Sequence, residues 1–156
     1  MAHNHGTEAN ETLNALNTVD KAIERLARSL PSDARIILTA DHGQLNGPLH
    51  DIWPNDPFVQ HLDHEPWGDS REMHFAVKPT DSEQFEKEFR ERFGEVAFLL
   101  STAEVGDLEL LGPGLISSST TKRLGTHLAI SRGADAFKYH YRPGSPKFIG
   151  HHSGLT

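Results

Sequence analysis

The sequence predicts an α/β fold that carries an inserted small α+β lobe, and three patterns indicate this fold class. An amphipathic helix precedes a short apolar run, the run ends in Asp-His-Gly, and a later block combines several strand-like runs with one helix. A short apolar run after a helix is typical of a strand that is covered on both faces, as parallel sheets require. We therefore expect a sheet-based core with a separate lobe.

The first pattern is a helix from Glu8 to Leu30. Pro31 follows where the helix should end. The apolar residues of the helix recur every three or four positions and are Leu13, Leu16, Val19, Ile23, Leu26 and Leu30. The second pattern is the apolar run Ala34–Ala40, which predicts a strand. It ends in Asp41-His42-Gly43. Functional sites in open α/β sheets gather beyond the carboxyl ends of strands, so we expect chemistry at this point.

Residues 44–70 are rich in Pro, Gly, Asp and His, and we expect them to form a long irregular segment, which we call the excursion. The third pattern is the block of sequence that follows it. The block predicts a helix over 82–93, with Phe85, Phe89 and Phe93 on one face. Strands are expected at 73–78, 96–100, 127–131 and 136–141. We expect this helix to pack on a mostly antiparallel sheet. The predicted division is a core of residues 1–66 and 146–156 and an inserted lobe of residues 67–145.

Composition excludes several classes of function. The chain has 156 residues, a formal net charge of −7 and no basic cluster, which argues against binding a nucleic-acid polymer. It has no cysteine, which excludes disulfides, cysteine–zinc sites, iron–sulfur clusters and thiol nucleophiles. No stretch approaches the ~18 apolar residues of a membrane span, and the first dozen residues are polar. We expect a soluble chain without a signal or transmembrane segment, in a compartment that the sequence leaves open.

Histidine is the unusual component, with eleven residues spread along the chain. Three segments are notable: His3-Asn4-His5-Gly6, Thr39-Ala40-Asp41-His42-Gly43 and Gly150-His151-His152-Ser153-Gly154. Imidazole and carboxylate are the natural zinc ligands where thiolate is absent. At the end of a strand the backbone turns, so that Asp41 and His42 can be directed at one point. Taken alone, however, an Asp-His-Gly tripeptide is most often a turn.

In this order the three segments resemble the motifs of the type I phosphodiesterase/nucleotide pyrophosphatase family, a branch of the alkaline phosphatase superfamily. The first segment is similar to the end of Asp-x-x-x-His-x-x-Gly, with His3 at the histidine. Residues 39–43 match the second motif without a gap. The third segment resembles Gly-x-His-Gly, with Ser153 in place of the final glycine and His151 at the variable position. The resemblance spans most of the chain.

The resemblance implies part of an alkaline-phosphatase-like sheet and a site for two zinc ions that acts on a small phosphoric-ester substrate. It assigns His3 and His152 to one ion, and Asp41 and His42 to the other. The aspartate expected four residues before His3 has no counterpart here, and neither do the early aspartate and the Thr or Ser nucleophile. We therefore expect a C-terminal portion of a hydrolase, inactive by itself.

The sequence also allows other interpretations of function and assembly. The chain could instead be a non-catalytic module that binds a ligand or a partner through the lobe. Without further strands, residues 36–40 would lack neighbours, and a homodimer could cover them. A separate metal site at His50, His61 and His64 is conceivable, although a polar loop is favoured.

Two smaller expectations concern the lobe. His127 and His140 alternate with apolar residues in predicted strands, so we expect them on solvent-facing surfaces. Residues Ser117–Thr121 form a hydroxyl-rich run that we expect to be a loop.

Overall fold

A computed structural model describes residues 1–142, 144 and 147–155. Its helices are α1 (Ala2–His5), α2 (Asn10–Ser29), α3 (Ser82–Phe93), α4 (Thr102–Asp107) and α5 (Ser118–Leu124), with a 3₁₀ helix at Pro57–His61. Its strands are β1 (Leu45–Asn46), β2 (Leu49–Ile52), β3 (Trp67–Asp69), β4 (Glu72–Phe75), β5 (Ala97–Ser101), β6 (His127–Ser131), β7 (Ala136–Tyr139) and β8 (Gly150–His151). The chain is thus of the mixed α/β class, as the sequence predicts.

The lobe is an antiparallel sheet with the strand order β3-β4-β6-β5. Its outer strand β3 is joined to β4 by a tight hairpin in which Asp69 faces Glu72. Helix α3 covers one face of the sheet with the predicted stripe of Phe85, Phe89 and Phe93, all of them buried. The expected helix and the expected antiparallel sheet of the lobe are both confirmed.

The core of the lobe is a cluster of phenylalanine rings. Phe58, from the 3₁₀ helix, packs edge-on against Phe75, Phe85, Phe89 and Phe93, with ring centroids 5.5 to 6.2 Å apart. Aromatic pairs favour this edge-to-face geometry because the positive ring edge meets the negative ring face. The 3₁₀ helix belongs to the predicted excursion of residues 44–70, so this segment contributes to the core.

The excursion also contributes strands, which corrects the expectation of an irregular segment. Strand β2 pairs in parallel with β7, in a register that places Ile52 beside Tyr139. Residues 136–139 therefore pair with a strand of the excursion and not with the lobe sheet, where we expected them. The reason is that this pairing joins segments more than 80 residues apart, and no local pattern in either strand indicates its partner.

The predicted strand at residues 34–40 is wrong for the described part of the chain. Residues 34–40 form no strand, and all of them are exposed, with Ile37 at 91%. A strand exists only where a neighbour accepts and donates its backbone hydrogen bonds, and no described segment pairs with this one. Helix α2 agrees with the prediction in position, but its apolar stripe, including Leu16 and Val19, is exposed as well.

Three predictions about side chains and loops in and near the lobe are also wrong. His127 and His140 are buried rather than solvent-facing, because Glu86 and Asp51 supply partners for their ring nitrogens. The hydroxyl-rich run at 117–121 begins helix α5 instead of forming a loop. Ser117 is its N-cap and accepts a hydrogen bond from the Thr120 amide, which satisfies one of the free donors of the first turn.

The two ends of the described chain lie together. Helix α1 packs against β8, and β8 pairs with β1. A Cβ on Gly150 would lie 2.5 Å from the Ala2 carbonyl oxygen, so this close approach requires glycine. The predicted division between lobe and core at 145/146 lies outside the described residues and stays a prediction.

Candidate metal centre

The three histidine segments meet where α1 packs on β8. His3 lies in α1, His152 follows β8, and His42 lies in the exposed segment before β1. The Ile149 amide donates to the His3 carbonyl oxygen over 2.7 Å, which fixes α1 against the strand. The expected motifs are thus brought together from both ends and the middle of the chain.

The imidazole rings of these segments form a cluster. The ring centroids of His3 and His152 are 5.1 Å apart, and those of His42 and His152 are 4.0 Å apart in a stacked arrangement. His5, the other histidine of α1, is exposed and takes no part in the cluster. His152 is therefore the ring shared by the two contacts.

Each ring of the cluster presents Nδ1 to an oxygen. His3 Nδ1 donates to the Gly150 carbonyl oxygen, and His42 Nδ1 to the Gly43 carbonyl oxygen, both over 2.8 Å. His152 Nδ1 lies 3.4 Å from a carboxylate oxygen of Asp69. Carbonyl oxygens only accept, so in the neutral rings of His3 and His42 the proton sits on Nδ1 and the lone pair on Nε2, and the carboxylate favours the same tautomer of His152. Metal-binding histidines typically have this arrangement.

Asp41 stands apart from the ring cluster. Its side chain is 88% exposed, and one oxygen lies 3.7 Å from His42 Nε2. Two ligands at tetrahedral zinc, with bonds of about 2.0–2.1 Å, would be separated by about 3.3 Å, so the Asp41 oxygen and His42 Nε2 lie somewhat farther apart than one shared ion requires. Across the described residues, no group of three or more His, Asp or Glu side chains is arranged to hold an ion. Imidazole and carboxylate are suitable zinc ligands, but the four predicted residues provide only two ligands for each ion.

Asp69 is a site residue that the sequence analysis missed. It ends strand β3 of the lobe, and it also accepts a hydrogen bond from the Ser70 amide over 2.5 Å. A carboxylate in the tight turn between two strands usually caps that turn, and so its approach to His152 leaves no local signal. The lobe therefore contacts the histidine cluster directly.

Ser153 explains the one difference in the third motif. Its φ is +71°, in the left-handed region that glycine occupies without steric strain. Serine at the position of the motif's glycine thus keeps the glycine-like backbone at a cost of about 1–2 kcal/mol. Its carbonyl oxygen accepts a hydrogen bond from Arg71 over 2.8 Å, which holds the turn.

A cavity of about 430 Å³ adjoins the cluster. His3 and His152 form one side of it, and aromatic side chains of the lobe and of β7 line much of the rest, among them Trp67 and Tyr139. Burial raises the pKa of Tyr139 above its ordinary value of 10.0, so this phenol stays protonated at neutral pH. The cavity can accommodate the organic part of a small molecule next to the histidines.

Three further histidines, outside the cluster, have structural roles. His140 Nε2 donates to Asp51 over 2.8 Å, and the Trp53 ring stacks on His140 at 3.8 Å. His50 pairs in the same way with Asp135, and His61 with Asp81. Each of these histidines has a carboxylate partner inside the fold, which favours the structural interpretation over a separate metal site.

The Asp51–His140 pair gives a pH-dependent prediction. The hydrogen bond from His140, assisted by Lys147 and opposed by burial, lowers the pKa of Asp51 below its ordinary value of 3.8. A lowered folded-state pKa stabilises the fold above about pH 4 and loses that contribution as the pH falls through it. We expect Asp51→Asn to reduce the free energy of unfolding by about 1–2 kcal/mol at pH 7, and by progressively less below pH 4. Urea denaturation between pH 7 and pH 3 measures this.

Asp20→Asn, on the exposed face of α2, is the control and should have no effect at any pH. A loss that is equal at all pH values would contradict the assignment.

Comparison with known proteins identifies the family. A model of the type I phosphodiesterase/nucleotide pyrophosphatase family matches residues 1–152. The chain belongs to this family. Among solved structures it is similar to murine ectonucleotide pyrophosphatase/phosphodiesterase 5, with a TM-score of 0.64 and 14% sequence identity over 97% of this chain. An inactive form of that murine protein in complex with AMP gives a TM-score of 0.64 and 13% identity, again over 97% of this chain.

This chain covers 39% of the length of either murine structure. No curated protein matches it. The phosphodiesterase family assignment and the fold similarity agree with the resemblance drawn from the three motifs. Among the residues that the structure describes, none of the helices is both long enough and apolar enough to cross a membrane.

Proposed function

We propose that this chain supplies part of the two-zinc site of a metal-dependent phosphodiesterase or nucleotide pyrophosphatase that hydrolyses phosphoric esters. The observation that carries the proposal is the cluster of three imidazoles, each with Nδ1 directed at an oxygen and Nε2 available. A purely structural cluster has no need of this common orientation. Bound zinc would polarise the phosphoryl oxygens and increase the acidity of a hydroxyl nucleophile.

The residues divide between the two ions as the family resemblance implies. His3 and His152, whose rings are neighbours, hold one ion, and Asp41 and His42 hold the other. The stacking of His42 on His152 brings the two pairs into contact, so that an ester at the edge of these two rings would contact both pairs. The cavity beside His3 and His152 receives the organic group of that ester.

The nucleophile and the remaining ligands come from outside the 156 residues. This part of the proposal rests on the family motifs that have no counterpart in the sequence. The isolated chain is expected to show negligible phosphodiesterase activity with or without zinc. Zinc-dependent, saturable hydrolysis by the pure chain that disappears in Asp41→Ala would contradict this expectation.

Zinc binding is the direct test of the site. Calorimetric titration of the metal-stripped chain should detect saturable zinc binding that Asp41→Ala and His152→Ala each weaken. His5→Ala is the matched control, because His5 lies in the same helix as His3 but is exposed and outside the cluster. Absence of binding, or an equal loss in the His5 variant, would remove the zinc proposal.

The exposed apolar surface supports the view that the chain is part of a larger unit. Ile37 and Leu38 are exposed, as are Leu16 and Val19 of helix α2. Because the chain covers 39% of the murine structures, we infer that the rest of the catalytic domain covers this surface and pairs with residues 36–40. A concentration-independent monomer in sedimentation supports this occupant, whereas a dimer that Ile37→Lys dissociates assigns the surface to a second copy of this chain.

A further inference from the structure

Arg71 links the lobe to the turn that follows the third histidine segment. It lies between β3 and β4, is 2% exposed, and its carbonyl oxygen accepts a hydrogen bond from the Ser131 amide of β6 over 3.0 Å. Its guanidinium donates to the carbonyl oxygens of Ser153 and Gly133, which belong to two different segments. The planar fork of a guanidinium suits such a bridge, because it directs donors at two acceptors at once. Arg71 therefore ties the chain after His152 to the lobe sheet.

The turn that Arg71 contacts has an unfavourable backbone. The φ angles are +71° at Ser153 and +70° at Gly154, so two successive residues lie in the left-handed region. Glycine adopts this region freely, whereas serine disfavours it by a factor of about 5–30. A Cβ on Gly154 would lie 2.8 Å from the Arg71 carbonyl oxygen, so the turn also packs directly on the backbone of Arg71. Contacts from outside the turn are therefore needed to keep Ser153 in this conformation.

We propose that Arg71 is a positioning residue for His152, because it holds Ser153 in the left-handed conformation. Strand β8 fixes the chain before His152, and Arg71 fixes the Ser153 carbonyl oxygen after it. The His152 ring is thereby held against His42, with ring centroids 4.0 Å apart. The inference rests on the proposed function and deepens it: the lobe hairpin sets the tautomer of this zinc ligand through Asp69 and its place through Arg71.

The first test is NMR spectroscopy of the zinc-free full chain. The wild type should show NOEs between the rings of His42 and His152, and the strong NOE between the amide and Hα protons of Ser153 that a positive φ produces. Both signals should be lost in Arg71→Met. Arg132→Met is the matched control and should keep both, because that guanidinium lies 4.1 Å over the Phe98 ring. Unchanged signals in a folded Arg71→Met chain would overturn the proposal.

Rescue by a second substitution separates positioning from general stability. In Arg71→Met the turn relaxes, so the fraction of chains ready to bind zinc, and with it the zinc affinity, should fall by about 5- to 30-fold. Adding Ser153→Gly should restore the ring NOEs and most of the affinity, because glycine adopts a positive φ without strain. A folded double variant without this recovery would assign Arg71 to overall stability and contradict the positioning role.

A variant that keeps Arg71 makes the test valid if Arg71→Met fails to fold. Because Arg71 already holds the turn, Ser153→Gly alone should leave the ring NOEs and the zinc affinity unchanged. A gain in affinity of about 5-fold or more would mean that the turn is relaxed in the wild type, and would overturn the proposal. The NOEs are measured without zinc, so they decide the role of Arg71 even if the chain binds no zinc, an outcome that would count against the proposed function alone.

Discussion

Asp69→Asn should reduce the zinc affinity of the chain by about 10- to 100-fold, the range measured when the outer hydrogen-bond partner of a metal-binding histidine is removed. The carboxylate lies 3.4 Å from His152 Nδ1 and favours the tautomer in which Nε2 is free. An asparagine amide can present either its oxygen or its NH₂ group, so this preference is lost. Calorimetry with zinc gives the affinity.

A measurement on the metal-free chain distinguishes a loss of the His152 tautomer preference from a general loss of structure. The ¹⁵N shifts of His152 in the zinc-free chain should indicate a single tautomer in the wild type and a mixture in Asp69→Asn. Glu72→Gln is the matched control, because Glu72 faces Asp69 across the same hairpin but lies 3.4 Å from His74 instead. Equal zinc affinities in the wild type and Asp69→Asn would refute the positioning role.

Phe89→Ala should reduce the free energy of unfolding by about 3–5 kcal/mol, as expected for a large aromatic side chain removed from a packed core. Phe89 is 1% exposed, and its ring lies 5.3 to 6.0 Å from those of Phe58, Phe75, Phe85 and Phe93. Total stabilities are about 5–15 kcal/mol, so the variant would be close to unfolding. Urea denaturation at neutral pH measures the difference.

Phe98→Ala is the control for that experiment. The Phe98 ring is on the same sheet but 50% exposed, with Arg132 over its face. It should lose less than half as much stability, because less apolar area leaves water there on folding. Comparable losses in the two variants would mean that the phenylalanine cluster is not the principal core of the lobe.

The sequence was informative where structure depends on nearby residues. The spacing of Leu13 to Leu30 predicted α2, the stripe of Phe85, Phe89 and Phe93 predicted α3, and three short motifs led to the family. Periodicity reports which face of an element is apolar, and these elements have clear faces. It does not report what covers a face, so the exposure of α2 had no signal in the sequence.

The sequence was uninformative where the structure depends on distant partners. The run at residues 36–40 has the composition of a strand but no described neighbour, and β2 pairs with β7 without any local cue. Likewise, Asp69 and Arg71 are ordinary polar residues of a hairpin until the chain brings them to His152 and Ser153. Alternation with apolar residues predicts that His127 and His140 are exposed, because it cannot reveal a carboxylate partner on a distant segment.

The meeting of α1 with β8 has a consequence for how the molecule folds. The hydrogen bond from His3 to Gly150 joins residues 147 positions apart in the sequence. Bringing together residues this far apart in the sequence costs about 4–5 kcal/mol of chain entropy. We therefore expect the histidine cluster to form late in folding, when other contacts already hold the chain, and an ion that bridges His3 and His152 would slow the separation of the two ends.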